Sequence, residues 1–236
     1  MALMEVVVMN DTQPQLLLIG DVGGTNIRLR LLPDAPAVSS VPAIFAADYK
    51  TKDFNHLHEA LDRFFEEAAA AHTATERCAF ACLAVCGPVV RGRAVCLAPS
   101  MGEDGWILDE VELAAHVPQL PPSHLKMIND FIAVGTAIPE VGPELIHTIH
   151  AGQPQLHAPF VCIGPGTGLG NVYCTWELGT EGGGAKLRVH PSEGGMSDFV
   201  PRTEEEWQLR RHIAQAKGLT HVEVRCSVAA APPHAR

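Results

Sequence analysis

The sequence predicts an α/β fold built from two halves of similar design. Short apolar segments with the length of buried strands alternate with amphipathic segments with the length of helices. Two of the strands run into glycine-rich turns that begin at Gly20 and Gly164, 144 residues apart. Because another strand follows each turn at once, we expect two related hairpins, one in each half of the chain.

Composition excludes several classes of function. The chain has 236 residues, enough for one large domain or two small ones, and 47% of them are apolar. With 17 basic and 27 acidic residues its net charge is −10, and no basic stripe is present to neutralise a nucleic acid. No apolar run approaches the length of about 18 residues that a membrane-spanning helix needs. The first ten residues lack the early basic charge of a signal peptide. We therefore expect neither nucleic-acid nor membrane partners.

The cysteines indicate a reducing compartment. There are seven, an odd number, and most lie within apolar runs. We expect them to be reduced core residues of a cytoplasmic protein. Cys78, Cys82 and Cys86 recur at a spacing that suggests a metal site, but the surrounding run is typical of a strand, so we do not expect one.

The first half is predicted to begin with a hairpin of strands over 16–19 and 27–32. An amphipathic helix is expected over 53–71, with Asp53 as its cap. Continuous apolar runs predict further strands. The remaining elements expected here are strands over 79–85, 94–97 and 125–128, and helices over 109–117 and 131–138.

The second half is predicted to contain strands over 160–163 and 171–176. Thr203 and Glu206 form a capping box for a helix over 203–217, which Gly218 ends. A boundary near 131–140 divides the chain into domains 1–135 and 136–236.

The first glycine turn is a candidate phosphate site. Glycines let the backbone approach a ligand closely, and successive N–H groups in such a turn form a nest for an anion. Asp21 repels a bare phosphate, but it fits a site in which Mg²⁺, held through water, lies between them. The alternative is a hairpin turn without a function. The candidate binding residues are Gly20, Asp21, Val22, Gly23, Gly24 and Thr25.

The second glycine turn repeats this pattern without an acid. Its candidate binding residues are Gly166, Thr167 and Gly168. Two such turns across a cleft can hold a polyphosphate from both sides, so the pair predicts a nucleotide site. A strand rather than a helix follows each turn, and no Gly-Lys-Ser/Thr occurs, which excludes the Rossmann and Walker A motifs.

Polar residues at two further positions can carry chemistry. Asn129 and Asp130 follow a buried strand, where ligands gather in α/β proteins. Asp130 can take the proton of an attacking hydroxyl and Asn129 can bind a sugar hydroxyl; alternatively, Asp130 only caps the next helix. Glu193 stands beside Gly194 and Gly195 and is either a ligand-binding loop residue or an exposed turn.

Taken together, these motifs resemble those of the bacterial-type glucokinases. The matching segments, in the family's order, are LIGDVGGTNIR, CGPVVRGRAVCL, INDFIAV, IGPGTGLG and SEGGMSDFVP. The resemblance implies the actin-like ATPase fold, with two α/β domains of ribonuclease H type around a central cleft. It also implies transfer of the ATP γ-phosphoryl group to the 6-hydroxyl of glucose or a similar hexose.

The resemblance assigns roles to the candidate residues. Asp130 corresponds to the general base, and Asn129 and Glu193 correspond to sugar ligands. The two glycine turns correspond to the phosphate motifs that bind ATP with Mg²⁺. Met196 stands where the family has a sugar-binding His, and Ala98-Pro99-Ser100 replaces its Thr-Asn.

The end of the chain departs from the family. Glu223 stands near the place of a further sugar-binding Glu, and no glycine follows Gly218 to form an adenosine loop. We therefore expect an incomplete second domain, with apolar surface that favours a homodimer. Two functions stay open: an active glucokinase, or a truncated, catalytically impaired homologue that binds sugar or nucleotide or acts as a regulator.

Overall fold

The computed structural model describes residues 16–33, 41–71, 78–166, 168–179 and 184–224. Its strands are β1 (Leu16–Val22), β2 (Asn26–Pro33), β3 (Phe45–Lys50), β4 (Phe80–Val85), β5 (Val89–Val90), β6 (Arg93–Cys96), β7 (Trp106–Asp109), β8 (Leu125–Asn129), β9 (Phe160–Pro165), β10 (Leu169–Glu177) and β11 (Lys186–Ser192). Its helices are α1 (Leu57–Ala70), α2 (Glu110–His116), α3 (Asp130–Ala137) and α4 (Glu204–Lys217).

A mixed sheet in the order β3-β2-β1-β4-β8 forms the centre of the first half. The hairpin of β1 and β2 is antiparallel, whereas β1, β4 and β8 run parallel. Alternate residues of the hairpin, such as Leu18 and Leu29, are buried. They pack in one core with the apolar face of α1, which includes Leu61 and Phe64. The predicted hairpin is therefore confirmed.

The start of α1 differs from the prediction. Asp53 lies in a short 3-10 turn, Thr51–Asp53, and the helix begins at Leu57 after His56, whose side chain makes no capping hydrogen bond. Asp53 is therefore not the cap. Phe54, which lies within the predicted helix 53–71, adopts an extended conformation and packs edge-on against Tyr49, with ring centroids 5.6 Å apart. The extended backbone of Phe54 separates the 3-10 turn from α1.

The second hairpin, β9 and β10, is also confirmed, and β11 extends it to a sheet in the order β11-β10-β9. Helix α3 leaves the first sheet at the end of β8 and packs against β10 and β11. Gly135 allows this close approach, since a Cβ there would lie 2.9 Å from methyl groups of Val172 and Val189. A smaller antiparallel sheet has the order β5-β6-β7.

The predicted ends of α4 are confirmed. Thr203 and Glu206 form the reciprocal capping box, and Gly218 ends the helix in the left-handed conformation with φ 64°. The domain boundary near 131–140 stays a prediction, and 225–236 and Thr167 lie outside the described residues. Across the described ranges, none of the helices combines the length and apolarity needed to cross a membrane.

Candidate active site

Three parallel strands bring the first glycine turn, Asn129 and Asp130 to one edge of the central sheet. Val22 of β1 is in register with Val85 of β4, and Val85 is in register with Asn129 of β8. The first glycine turn therefore lies at the same sheet edge as Asn129 and Asp130, with the end of β4 between them, as expected where parallel strands end together. Residues separated by more than 100 positions in sequence thus share one site.

The glycine turn is held by two residues that the sequence analysis did not select. The Thr51 hydroxyl donates a hydrogen bond of 2.7 Å to the carbonyl of Gly23. The Ser100 hydroxyl donates to the carbonyl of Gly24. These partners stand 28 and 76 residues from the turn, so no local pattern in the sequence indicates them.

Two candidate residues of this turn have packing roles. Val22 is fully buried, so its side chain belongs to the core, and its carbonyl accepts the backbone N–H of Cys86 at 3.0 Å. Gly20 lies within β1, and a Cβ there would come within 2.7 Å of Leu83 and 2.8 Å of Leu29. The absence of a side chain at Gly20 is therefore explained by the sheet. Its assignment to phosphate binding stays a prediction.

Asp21 meets the requirements of a magnesium site in part. Its carboxylate accepts a hydrogen bond of 2.6 Å from Arg28, and both side chains are about half exposed. Asp21 also lies near enough to Asp130 for its charge to affect that group. No cluster of three or more candidate ligand side chains occurs in the described residues. Mg²⁺ commonly takes one or two carboxylates and completes its coordination shell with water and phosphate. The carboxylates of Asp21 and Asp130 therefore fit a magnesium ion bound together with phosphate.

Asn129 is the cap of α3 as well as a site residue. Its Oδ1 accepts the backbone N–H groups of Phe131 and Ile132 at 3.0 and 3.2 Å. Its Nδ2 donates to the Gly87 carbonyl at 3.1 Å and to Asp130 Oδ1 at 3.0 Å. All four hydrogen-bonding positions of this amide are used, and the residue is 7% exposed. The cap expected at Asp130 therefore belongs to Asn129.

Asp130 is half-buried at the start of α3. Burial, opposed by the backbone N–H of Phe131 and reinforced by the charge of Asp21, raises the pKa of its carboxyl above the ordinary value of 3.8. A raised pKa makes the carboxylate a stronger base. This property suits a group that removes a proton from a hydroxyl.

Cys86 is a further member of the site. Although expected in the core, Cys86 is half-buried and directly follows β4. Its thiol lies within reach of the charges of Asp130 and Asp21. A hydrogen bond from Cys96 is the largest influence on Cys86 and lowers its pKa below the ordinary thiol value.

Phe131 joins this edge to the second glycine turn. A Cβ at Gly164 would lie 2.5 Å from the Phe131 ring, and one at Gly170 would overlap the ring. Between these glycines, the N–H of Gly166 donates to the carbonyl of Gly168 at 2.9 Å. The second turn is therefore anchored to the residue that follows Asp130.

The remaining candidates lie together next to the second turn. Glu193 precedes a 3-10 turn, Gly194–Met196, and both Glu193 and Met196 are exposed. Gly195 is buried against the backbone of Leu169 at the start of β10. Glu223 reaches the same loop, because it forms a β-bridge with Asp198.

The candidate residues thus form two groups. The first turn, Asn129 and Asp130 share the edge of the central sheet. The second group consists of Gly166 and Gly168 in the second turn, Glu193 and Met196 in the loop after β11, and Glu223, which pairs with that loop. In the part of the chain that the structure describes, helix α3 joins the groups through Phe131 and Gly135. That they face one another across a cleft stays a prediction.

The chain matches one family of known proteins over most of its length. A family model described as Glucokinase matches residues 18–228. The glucokinase of Trichormus variabilis is 34% identical over 209 residues, which cover 89% of this chain and 56% of the relative. The glucokinase of Yersinia pestis is 32% identical over 211 residues, covering 87% and 56%. The chain thus spans little more than half the length of these relatives.

The fold of the chain is similar to that of solved glucokinase structures. The glucokinase of an Antarctic psychrotroph superposes with a TM-score of 0.61 at 25% identity, covering 90% of this chain and 60% of that one. The glucokinase of Balamuthia mandrillaris, solved in complex with glucose, superposes with a TM-score of 0.64 at 21% identity. The match covers 92% of this chain and 60% of that one. The chain has the α/β actin-like ATPase fold of these kinases. Because the family model spans most of its length, the chain belongs to the glucokinase family.

Proposed function

We propose that the chain is an ATP-dependent glucokinase, which transfers the γ-phosphoryl group of ATP to the 6-hydroxyl of glucose or a similar hexose. The observation that carries this proposal is the position of Asp130. A half-buried carboxyl with a raised pKa lies at the same carboxyl edge of the central sheet as the first glycine turn, within reach of the charge of Asp21. Membership of the glucokinase family supports the same activity.

The proposed mechanism uses Asp130 as the general base. Its carboxylate accepts the proton of the 6-hydroxyl while the hydroxyl oxygen attacks the γ-phosphorus in line, the bond from that phosphorus to the bridging oxygen breaks, and ADP leaves. Asn129 orients Asp130 through the 3.0 Å hydrogen bond from Nδ2. An approaching sugar hydroxyl would exchange with one of the present partners of Asn129. Glu193, Met196 and Glu223 are proposed to bind the other hydroxyl groups.

Both glycine turns are proposed to hold the phosphates of ATP. The proposed phosphate-binding residues of the first turn are Gly20 to Thr25, and those of the second turn are Gly166, Thr167 and Gly168. Mg²⁺ would be held by Asp21 through water and would neutralise phosphate charge when bound. Positioning and charge neutralisation by these groups would supply most of the catalysis.

We also propose two α/β domains, 1–135 and 136–236, whose closure excludes water from the transferred phosphate. The passage of α3 from the first sheet to the second supports this division. A homodimer, a cytoplasmic location, and the absence of nucleic-acid and membrane partners stay predictions.

The proposal is tested by glucose- and ATP-dependent release of ADP from the purified 236-residue chain. Asp130→Ala is expected to lower kcat by roughly 10²- to 10⁴-fold, the usual contribution of a general base. Asp62→Ala, which removes a carboxylate from α1, outside the site, is the matched control and should retain full activity.

A folded parent chain without turnover would overturn the kinase proposal for this chain. The second candidate is a sugar- or nucleotide-binding homologue without catalysis, in which Met196 stands where the family has a sugar-binding His. Isothermal titration of the inactive chain with glucose and with Mg·ATP would then identify the ligand it binds.

A further inference from the structure

We infer that Thr51 and Ser100 are positioning residues of the phosphate site, which aim the backbone N–H groups of the first glycine turn at a phosphate. This inference rests on the proposed function, because it assigns nucleotide phosphates to that turn. It names two side chains outside the glycine motif, and each has a defined contact with it.

Thr51 holds the turn at two points. Its hydroxyl donates to the Gly23 carbonyl at 2.7 Å, and its backbone N–H donates to the Thr25 carbonyl at 3.1 Å. Thr51 is fully buried, one of two buried polar residues in the described part of the chain. A buried hydroxyl without a partner is costly, so this hydrogen bond fixes both the side chain and the carbonyl.

Ser100 binds the carbonyl of Gly24, which lies between the carbonyls of Gly23 and Thr25 in the chain. Its hydroxyl donates to the Gly24 carbonyl from a second 3-10 turn, Pro99–Met101. This turn contacts the 3-10 turn that contains Thr51, so the donors lie on the same side of the glycine turn. The carbonyls of Gly23, Gly24 and Thr25 therefore all point toward that side.

The direction of these carbonyls determines the direction of the N–H groups. A trans peptide is planar, with its C=O and the following N–H pointing in opposite directions. When the three carbonyls face Thr51 and Ser100, the N–H groups of Gly24, Thr25 and Asn26 face the other side. Successive N–H groups on one side form an anion-binding nest. The tethers also keep carbonyl oxygens, which would repel a phosphate, away from it.

The fit of the turn against its support is close. A Cβ at Gly24 would lie 2.6 Å from the Cβ of Ala98, two residues before Ser100. Gly24 therefore cannot gain a side chain without moving the segment that carries Ser100. Because the turn is fixed before a ligand arrives, less ordering entropy is lost on binding.

The test compares Thr51→Val, which replaces the hydroxyl by a methyl group of similar size, with Thr51→Ser, which retains it. Titration calorimetry measures the affinity of the full chain for Mg·ATP and, separately, for glucose. We expect Thr51→Val and Ser100→Ala each to weaken Mg·ATP binding by about 3- to 10-fold, the usual effect of one hydrogen bond. Thr51→Ser should restore parental Mg·ATP affinity, and glucose affinity should not change in any variant.

Unchanged Mg·ATP affinity in both Thr51→Val and Ser100→Ala would overturn the inference. An equal loss of nucleotide and glucose affinity would also overturn it, since that pattern indicates general disruption. If Thr51→Val does not fold, the test uses the half-buried Ser100 instead. The Mg·ATP affinity of Ser100→Ala is then compared with that of Ser100→Thr, which keeps the hydroxyl. A parent chain that binds Mg·ATP without turnover contradicts only the kinase proposal, whereas one that binds no Mg·ATP contradicts both.

Discussion

The ring of Phe131 occupies the space that a side chain at Gly170 would need. Phe131 follows Asp130 directly, so the residue beside the proposed base also anchors the hairpin of β9 and β10. Gly164 contacts the same ring from the other strand, where a Cβ would lie 2.5 Å from it. One aromatic side chain therefore sets the distance between the start of α3 and the second glycine turn.

This contact predicts that Gly170→Ala destabilises the protein. The added methyl group has no room beside the ring, and overpacking of this kind costs about 1–3 kcal/mol. We expect a lower midpoint of urea unfolding for Gly170→Ala. Gly166→Ala is the control, since a Cβ at Gly166 meets nothing within 4 Å and should leave the midpoint unchanged. Equal midpoints for the two variants would contradict the role of Phe131.

Asp130 is predicted to lower stability at neutral pH. Its pKa is raised in the folded state, chiefly by burial, so the native protein binds a proton more tightly than the unfolded chain does. Stability therefore falls as pH rises from the ordinary value of 3.8 through the raised pKa. We expect Asp130→Asn to have a higher Tm than the parent at pH 7. This difference should close below pH 3.8, where both side chains are neutral. A lower Tm for the variant at pH 7 would refute the sign of this effect.

Met196→His is predicted to strengthen sugar binding. Met196 is 46% exposed on the loop that follows Glu193, and its thioether is a weak acceptor without an N–H to donate. An imidazole at this place supplies a donor, so the Kd for glucose measured by calorimetry should fall by about 3- to 10-fold. Met196→Leu removes only the sulfur and should leave the Kd unchanged. An unaltered Kd for Met196→His would show that position 196 does not contact the bound sugar.

Cys86 is predicted to be more reactive than Cys78. A hydrogen bond from Cys96 lowers the pKa of Cys86, whereas burial raises the pKa of Cys78 to about 11. Alkylation by iodoacetamide at pH 8, followed by peptide mass mapping, should modify Cys86 at least about tenfold faster. Bound Mg·ATP and glucose should slow it, because Cys86 lies near Asp130. Modification of both thiols at one rate would contradict the assignment.

Local patterns in the sequence predicted the elements that local interactions determine. The two hairpins follow from apolar runs interrupted by glycines, and the capping box of α4 follows from Thr203 and Glu206. Strand β11 was not predicted. Its residues alternate between polar and apolar from Lys186 to His190, but the run is short and is followed by Pro191. Pairing with β10 therefore fixes this segment as a strand.

In the candidate site, too, the residues marked by local sequence patterns were predicted and those placed by long-range contacts were not. Asp21 and Asp130 were found because each stands at the end of an apolar strand or beside glycines. Thr51 and Ser100 were not found, because their hydrogen bonds to the first turn span 28 and 76 residues. The position of Cys86 beside Asp130 likewise depends on the alignment of β4 with β8.

The amide of Asn129 makes position 129 unusually intolerant of substitution. Asp has acceptors for the two N–H groups of α3 but no donors for Gly87 and Asp130, and it would add a charge next to Asp130. Leu keeps the volume but leaves those groups unpaired. Gln has the right groups on a side chain that is one methylene too long for this 7% exposed position. No other amino acid offers two donors and two acceptors at this reach, so in a saturation library Asn should be the sole residue recovered here by selection for activity.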